Sequence, residues 1–524
     1  MIERVRALPP SSRRVVFALI VLAVGAGCQV LSGVSGLVVD SESGDDDEGG
    51  GGGFIDPGDG GDPGDGEGGA GGEGGDADLD GGETVLVRVE LRKLGGGNVA
   101  SVKVNGIQAC AGAACTGTVL ATVPKNAATF ATVVVDPVIG TDAHFLDPTT
   151  CRATPAGCQV ALTAAFVRVT VQAVAANYVF ATNAKYNGAL GGLAGGDTKC
   201  KEAAAAAGLP GTYVAWLSDA TTNASARLGT ARGFVRVDGQ PFSDTLLATA
   251  GQDLVEGRVF FAVALDPFGV VLPKADFAWT GTAPTGVLGA GTACANWTSA
   301  LGPDNAITGA PLAGSVAWTS RTPIPDTCEK QGHLICFRKD KNAPVAPVAR
   351  PVPSRLAFVT ATPFTMGVTG IALADALCAA EAAAAVPPLA GTFKAYLATS
   401  TTKPQSRFSI LPAKGGWYRV DGTPVFTDPM VLQNLTGRPI TGVTQHADGT
   451  YVADDPVAHV DVWTGMDSAP NAASTTPAFS CNDWTDGSAA ANGRFGQSPF
   501  VDERFTSSGT GPCDVPRPIY CLQE

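Results

Sequence analysis

The stretch CNDWTDG, Cys481–Gly487, has a shorter relative earlier in the chain, CANWTSA, Cys294–Ala300. Both stretches place a cysteine three residues before a tryptophan, with Asn or Asp between the two. Asn and Asp beside a tryptophan can indicate a calcium site that holds sugars, because calcium takes carboxylate and amide oxygens as ligands. The same letters also describe a buried tryptophan stapled by a disulfide, with no ligand. The surrounding sequence decides between these interpretations.

The surroundings of the two stretches repeat each other over residues 178–338 and 356–524. Arg227 corresponds to Arg407 at an offset of 180 residues, and the offset at the Cys-Trp stretches is 187, so only short loops differ in length. Agreement of many landmarks in one order indicates a tandem duplication. Further matched landmarks are LPGTYVAWLSDAT with LAGTFKAYLATST, RVDGQPF with RVDGTPV, WTGT with WTGM, and CEKQGHLICF with CDVPRPIYCL.

Each copy is predicted to begin with a helix and to continue as short strands and loops. In the first copy a helix opens at Asp197 and stops at Gly208. In the second, ALADALCAAEAAAA ends before Pro387. The remainder is rich in Gly, Ser, Thr and Pro, so the predicted class is α+β. The Pro-, Ala- and Val-rich segment 339–355 between the copies is predicted to be a semi-rigid, extended linker.

Residues 1–28 have the pattern of an export signal. Arginines precede an apolar stretch of about ten residues that is too short to span a bilayer as a stable helix. VGAGC resembles a bacterial lipobox, in which Cys28 becomes the lipidated N-terminus, although Gly25 stands where leucine is usual. The alternative is an ordinary signal peptide. Lipidation also accounts for the odd total of 13 cysteines, because the other twelve can then pair in an oxidising compartment.

The net charge of -14 is concentrated in one segment. Residues 40–83 contain sixteen Asp and Glu and no Lys or Arg, so the rest of the chain is nearly neutral. Residues 29–83 are predicted to be a disordered Gly/Asp-rich tether, because glycine entropy and charge repulsion oppose a core. No segment has a basic stripe, so nucleic acid is not an expected partner.

Residues 84–173 are predicted to be a small all-β module. Val85, Val87, Val89 and Leu91 alternate with more polar residues, which is typical of a half-buried strand. GIQAC and GCQVALTAAFVRVTV are similar to the bacterial surface repeat related to internalin B repeats, which serves as a spacer. Local pairing is expected within this module, although its four cysteines allow three connectivities; the pairs would be Cys110–Cys115 and Cys151–Cys158.

Both copies resemble the C-type-lectin-like fold and, more closely, the leptospiral endostatin-like domain of bacterial surface lipoproteins. GGLAGGDTKC, LPGTYVAWLSD, VDG, WTGT, CANWTS and the terminal ICF carry the resemblance over nearly the whole first copy. In the C-type-lectin-like fold a helix cysteine is tied to the last strand and an inner pair clamps the long loops. The resemblance therefore implies Cys200–Cys336 and Cys294–Cys328 in the first copy, and Cys378–Cys521 and Cys481–Cys513 in the second.

Candidate binding and catalytic residues also have structural interpretations. Calcium would use Asn482, Asp483 and Asp486, but the first copy has no carboxylate at the matching place, and neither loop tripeptide of calcium-dependent lectins is present. Arg227 and Arg407 could bind an anion or make structural ion pairs. The tryptophans could stack on sugars, but their strand-like surroundings favour the core. The four histidines, His144, His333, His446 and His459, accompany no nucleophile elbow, phosphate loop or HExxH motif.

The sequence thus predicts a non-catalytic, lipid-anchored protein of the outer membrane or cell surface with two tandem C-type-lectin-like domains. Its expected partners are the membrane, through the anchor, and an extracellular glycan or protein ligand, and no cofactor is predicted unless calcium binds. Leptospiral relatives imply adhesion to host or matrix proteins. The rival hypotheses are a structural envelope component without a discrete ligand and an enzyme on a lectin-like fold.

Overall fold

Strands outnumber helices in the part of the chain that the structure describes, which fits the predicted α+β class. The computed structural model describes residues 84–524 except for 95–96, 126–128, 139–140, 147–149, 155–156, 246–258, 275, 322–324, 348, 433–437, 453–459 and 467–478. The predictions for the export signal, for lipidation at Cys28 and for the tether lie outside these residues. No helix in the described part of the chain is long and apolar enough to cross a membrane.

The first part of the chain forms a β module of two sheets around one core. One sheet has the order β4-β1-β9-β6 and the other β3-β2-β5-β8-β7. The alternation predicted for the first strand is confirmed, because Val85, Val87, Val89 and Leu91 are all buried between the sheets. The strands are β1 Thr84–Leu94, β2 Val99–Val104, β3 Ile107–Ala111, β4 Gly117–Pro124, β5 Phe130–Pro137, β6 Asp142–Phe145, β7 Arg152–Thr154, β8 Gly157–Ala161 and β9 Phe166–Val174.

The first copy is built around a twisted mixed sheet. Its opening strand β10 pairs in parallel with β12 and antiparallel with the closing strand β18, so both ends of the copy lie side by side. The helices are α1 Gly192–Ala206 and α2 Ala224–Arg227. The strands are β10 Asn177–Ala181, β11 Tyr213–Ala215, β12 Phe234–Arg236, β13 Pro241–Ser243, β14 Ala278–Trp279, β15 Asn305–Ala306, β16 Thr308–Gly309, β17 Asp326–Thr327 and β18 His333–Arg338.

The helix α1 begins earlier than the sequence predicts, at Gly192 rather than Asp197. Glycine has low helix propensity, which hides this start in the sequence. The first turn of the helix needs glycine because a Cβ on Gly195 would lie 2.0 Å from the backbone carbonyl oxygen of Leu190. The predicted stop is confirmed, since Gly208 follows the helix with a φ of +67°.

The second copy repeats this arrangement. Its opening strand β19 pairs antiparallel with the closing strand β26 and in parallel with β21. Its helix is α3 Ile371–Ala384, and short 3₁₀ turns cover Pro404–Arg407, Pro412–Lys414, Pro429–Leu432 and Glu503–Phe505. The strands are β19 Arg355–Val359, β20 Phe393–Ala395, β21 Trp417–Tyr418, β22 Pro424–Phe426, β23 Asp461–Trp463, β24 Asn492–Gln497, β25 Gly509–Pro512 and β26 Tyr520–Gln523.

Six disulfides staple the described chain. Cys110–Cys115 and Cys151–Cys158 close short loops in the β module. The outer bridges Cys200–Cys336 and Cys378–Cys521 tie the helix of each copy to its closing strand, and the inner bridges are Cys294–Cys328 and Cys481–Cys513. These pairs are the same as those that local spacing and the resemblance imply. Such bridging fits an oxidising compartment outside the cytosol.

The two copies make direct backbone contacts. Gly314 donates its N–H to the carbonyl of Pro499 (2.7 Å), and Val501 donates to the carbonyl of Leu312 (3.1 Å). The segment predicted as a linker is tied down where it begins, since the Val345 N–H donates to Asp244 of the first copy (2.9 Å). The first residues of this segment are therefore part of the first copy's surface.

Candidate functional site

Both Cys-Trp stretches form a short helical turn of left-handed sense. The φ angles are +46° to +64° throughout Ala293–Trp297 and +49° to +69° throughout Cys481–Trp484. For residues with a Cβ this conformation costs roughly 1–2 kcal/mol each, and it is rare in consecutive residues. Contacts from the rest of each copy must therefore hold the turn.

The tryptophan and the cysteine of each turn help to keep it in this left-handed conformation. Trp297 and Trp484 are fully buried, and each donates its indole N–H to a backbone carbonyl, of Ser218 (2.8 Å) and of Ala398 (2.7 Å) respectively. The cysteine at the start of each turn belongs to the inner disulfide. Each turn is thus a point where a loop is fastened to the core.

The polar residue before each tryptophan is a latch to a neighbouring loop. Asp483 accepts hydrogen bonds from the N–H and the hydroxyl of Ser400 (both 2.6 Å) and from the hydroxyl of Ser480 (3.0 Å). In the first copy Asn296 accepts one from the N–H of Ala220 (2.9 Å). The two residues occupy equivalent places, so Asp in the second copy and Asn in the first make the same kind of hydrogen-bonded connection to a neighbouring loop.

Hydrogen bonding also sets the ionisation of this carboxylate. Partial burial alone would raise the pKa of Asp483, but the hydrogen bonds from Ser400 and Ser480 outweigh it and hold the pKa below its ordinary value. The side chain is therefore an anion at neutral pH, and its negative charge is compensated by donors within the protein.

The three residues considered for calcium each have a local partner. Asp486 accepts a hydrogen bond from the N–H of Ser488 (2.9 Å), and Asn482 donates to the hydroxyl of Thr485 (3.3 Å). Both oxygens of Asp483 already accept hydrogen bonds. In the described ranges, no three His, Cys, Asp or Glu residues lie together in a group that could hold a metal ion. Calcium takes six to eight oxygen ligands, so this arrangement lends the calcium hypothesis no support.

The matched arginines make matched ion pairs. Arg227 donates to Asp197 in α1 (2.6 Å) and to the carbonyl of Ala215 (2.5 Å). Arg407 contacts Asp375 in α3 at 2.6 Å. Of the two interpretations of these arginines, the structural ion pair is the one found. Each pair fixes the helix against the loop that follows the second strand of its copy.

The described histidines are engaged in structural contacts. His333 is buried, with Nδ1 2.5 Å from the carbonyl of Thr182 and Nε2 3.0 Å from Asp276. Burial alone would raise the pKa of Asp276, but hydrogen bonds from His333 and Lys185 lower it. The side chain of His333 is only 2% exposed and both ring nitrogens contact groups of the protein, so the structure places it as a buried structural residue. His459 lies outside the described residues.

Nδ1 of His446 contacts the carbonyl of Val359 at 2.9 Å. Nε2 of His144 contacts the Tyr178 hydroxyl at 3.2 Å, and this contact joins the β module to the first copy.

All seven tryptophans are fully buried, which confirms the prediction that they belong to the core. They are Trp216, Trp279, Trp297, Trp318, Trp417, Trp463 and Trp484.

A cleft of about 890 Å³ lies between the β module and the first copy, and no pattern in the sequence predicts it. One wall consists of residues 143–146, which are the last three residues of the strand β6 and the residue that follows it. The other consists of the end of α1, residues 205–208, and a tight turn at 267–269. Arg92 also lines the cleft. The volume is in the range of ligand sites, which often occur between domains.

The tight turn beside the cleft differs in chemistry between the copies although its backbone is the same. Asp266 donates its N–H to the carbonyl of Val270, as His446 does to Thr450 at the equivalent place. Phe268, Val270 and Val271 are 55%, 61% and 64% exposed, whereas the second copy has Asp448, Thr450 and Tyr451 there. Aligning DPFGVV with HADGTY would have exposed this difference in the sequence.

No model of a known protein family matches the chain, and no curated protein matches it either.

Proposed function

We propose that the chain is an exported, non-catalytic binding protein of the cell envelope, anchored by a lipid on Cys28. In this proposal the acidic tether carries the β module and two endostatin-like domains of the C-type-lectin-like class away from the membrane. The domains bind a surface polysaccharide or an extracellular protein.

One observation carries the proposal. The two copies share their internal fastenings, namely the two disulfides, the tryptophan-bearing turn and the arginine–aspartate pair, whereas an exposed turn differs in chemistry between them. A common rigid frame with variable surface loops is the usual organisation of a binding scaffold. The ring of His333 is only 2% exposed, so a substrate would not reach it, which disfavours it as a catalytic base.

A structural envelope component without a discrete ligand is the second candidate. This structural role is favoured by the backbone hydrogen bonds between the copies and by the Lys274–Glu503 ion pair (2.8 Å), because such contacts would hold the two copies in a rigid arrangement.

Glycan and matrix-protein arrays, probed with the oxidised mature protein with and without EDTA, test the proposal. We expect saturable binding that EDTA does not change. A blank on both arrays would support the structural role instead, and loss of binding in EDTA would restore the calcium hypothesis. Asp483→Asn is the matched control, since it places the first copy's own residue in the second.

The anchor is tested separately by mass spectrometry of the mature protein from its native membrane. We expect an acylated N-terminal cysteine. A mature chain that begins after Cys28 would contradict the lipid anchor and leave the binding proposal standing.

A further inference from the structure

We propose that the cleft between the β module and the first copy binds a polypeptide segment of a partner in extended conformation, with apolar side chains and an acidic residue at one end. This inference rests on the proposed binding function and deepens it by naming the site and the class of ligand.

The strand β6 presents its edge to the cleft. Residues 143, 144, 145 and 146 all line it, although alternate side chains of a strand point to opposite faces. Consecutive residues can all reach one cleft only when the strand faces it edge-on. Within the described part of the chain β6 pairs with β9 alone, so it is the last strand of its sheet. A free strand edge recognises an extended polypeptide through backbone hydrogen bonds.

The walls around this edge are mainly apolar, and one cation without an ion-pair partner among the described residues lines the cleft. Phe145, Leu146 and Leu209 line the cleft. Asp238 is already paired with Arg236, whereas Arg92 is exposed and has no ion-pair partner among the described residues. The cleft therefore carries one uncompensated positive charge, which an acidic residue on the ligand would complement.

The exposed turn supplies a contact that the second copy lacks. Phe268 lines the cleft and, together with Val270, exposes apolar surface to solvent. The same backbone turn in the second copy carries Asp448 and Thr450, so the fold does not require apolar residues here. Apolar residues that the fold does not need, placed at a cleft, indicate contact with a ligand.

The backbone edge favours a polypeptide over the other apolar or stacking ligands. An acyl chain would fill the walls but leave the amides and carbonyls on the outer edge of β6, which face away from β9, without partners, at a cost in free energy. A glycan would need several polar side chains to fix its hydroxyls, and the walls described above are mainly apolar.

The test uses the oxidised protein and synthetic decapeptides in which valine and threonine alternate, with glutamate at one end. A control peptide replaces two threonines with proline, which cannot extend a ladder. Binding is measured by fluorescence anisotropy, and hydrogen exchange reports on the amides of residues 143 and 145. These face away from β9, whereas the Leu146 N–H already donates to the carbonyl of Thr170 (3.0 Å). The variant F268D/V270T gives the turn the second copy's own residues, so it should fold. Ile107→Thr, at a residue 71% exposed elsewhere on the β module, is the matched control.

We expect the alternating peptides to bind and to protect the β6 amides, with about tenfold weaker binding to F268D/V270T. Ile107→Thr should bind as the unchanged protein does, and Arg92→Glu should lose the preference for glutamate.

The inference is overturned if no alternating peptide binds, or if F268D/V270T binds within twofold of the unchanged protein. Binding of glycans or of phosphatidylglycerol vesicles that this variant abolishes would also overturn it, because the occupant would then not be a polypeptide. If the arrays show binding that the variant retains, only the cleft assignment fails. If arrays and peptides are both blank, the binding function fails with it.

Discussion

Replacing Asp483 separates a structural latch from a calcium ligand. In Asp483→Ala three hydrogen bonds disappear, two to Ser400 and one to Ser480. At about 1 kcal/mol net for each bond, and with the carboxylate only partly buried, the expected loss is about 2–3 kcal/mol. Asp483→Asn keeps one acceptor, as Asn296 does in the first copy, and should cost about 1 kcal/mol.

Calorimetry of the oxidised protein measures these losses. For a domain of this size about 1 kcal/mol corresponds to 2–4 °C in Tm, so the alanine variant should lower the second copy's transition by about 4–12 °C. Because the folded pKa of Asp483 is lowered, its contribution is fully present above about pH 4. It is lost as the pH falls through the folded pKa, and Asp483→Asn should not show that loss.

Calcium provides the decisive comparison. If Asp483 is a latch, adding calcium should leave every transition where it was. A rise in Tm with calcium that both Asp483 variants abolish equally would refute this reasoning, because a lost ligand, and not a lost hydrogen bond, would then explain the effect.

Three further perturbations have expected outcomes. Removing the Cys200–Cys336 bridge, which closes 136 residues, should destabilise the first copy by about 5 kcal/mol in urea unfolding. Removing the inner bridge Cys294–Cys328 should cost less, about 4 kcal/mol, and the reverse order of the two losses would contradict this prediction. Gly281→Ala should lower the free energy of unfolding by about 3 kcal/mol, because its Cβ would lie 2.7 Å from a core tryptophan ring. Gly229 also has a positive φ but lies in open space, so Gly229→Ala should cost only about 1 kcal/mol. Equal losses of stability in the two variants would argue against the clash. Burial, with Arg338 nearby, lowers the pKa of His144 to about 4, so stability should fall by about 3 kcal/mol between pH 6.5 and pH 4, and a similar slope in His144→Gln would disprove the assignment.

Some features of the fold followed from local chemistry. The period-two pattern of Val85 to Leu91 predicts a half-buried strand, because side chains alternate across any strand regardless of its neighbours. The helix start did not follow, because Gly192 to Gly196 is a poor helix former by itself. It is helical because α1 packs closely on Leu217 and is bridged through Cys200, and neither contact is local in sequence.

The candidate site was likewise predictable only in part from the sequence. The sequence singled out Asp483 and placed it beside a tryptophan predicted to lie in the core, but it could not show that Ser400, 83 residues away, donates to both carboxylate oxygens. Nor could it find the cleft, whose walls are 143–146 and 267–269, because nothing local marks segments that meet only after folding.

By itself, the sequence determined the duplication, the strand pattern of the β module and the residues at which each copy is fastened. These features depend on spacing and on residue type, which the chain carries along its length. Only the tertiary structure decided what the fastened residues do and where a ligand could enter. Hydrogen-bond partners, burial and the free edge of β6 depend on which distant segments come together, and that information is absent from any one stretch of the chain.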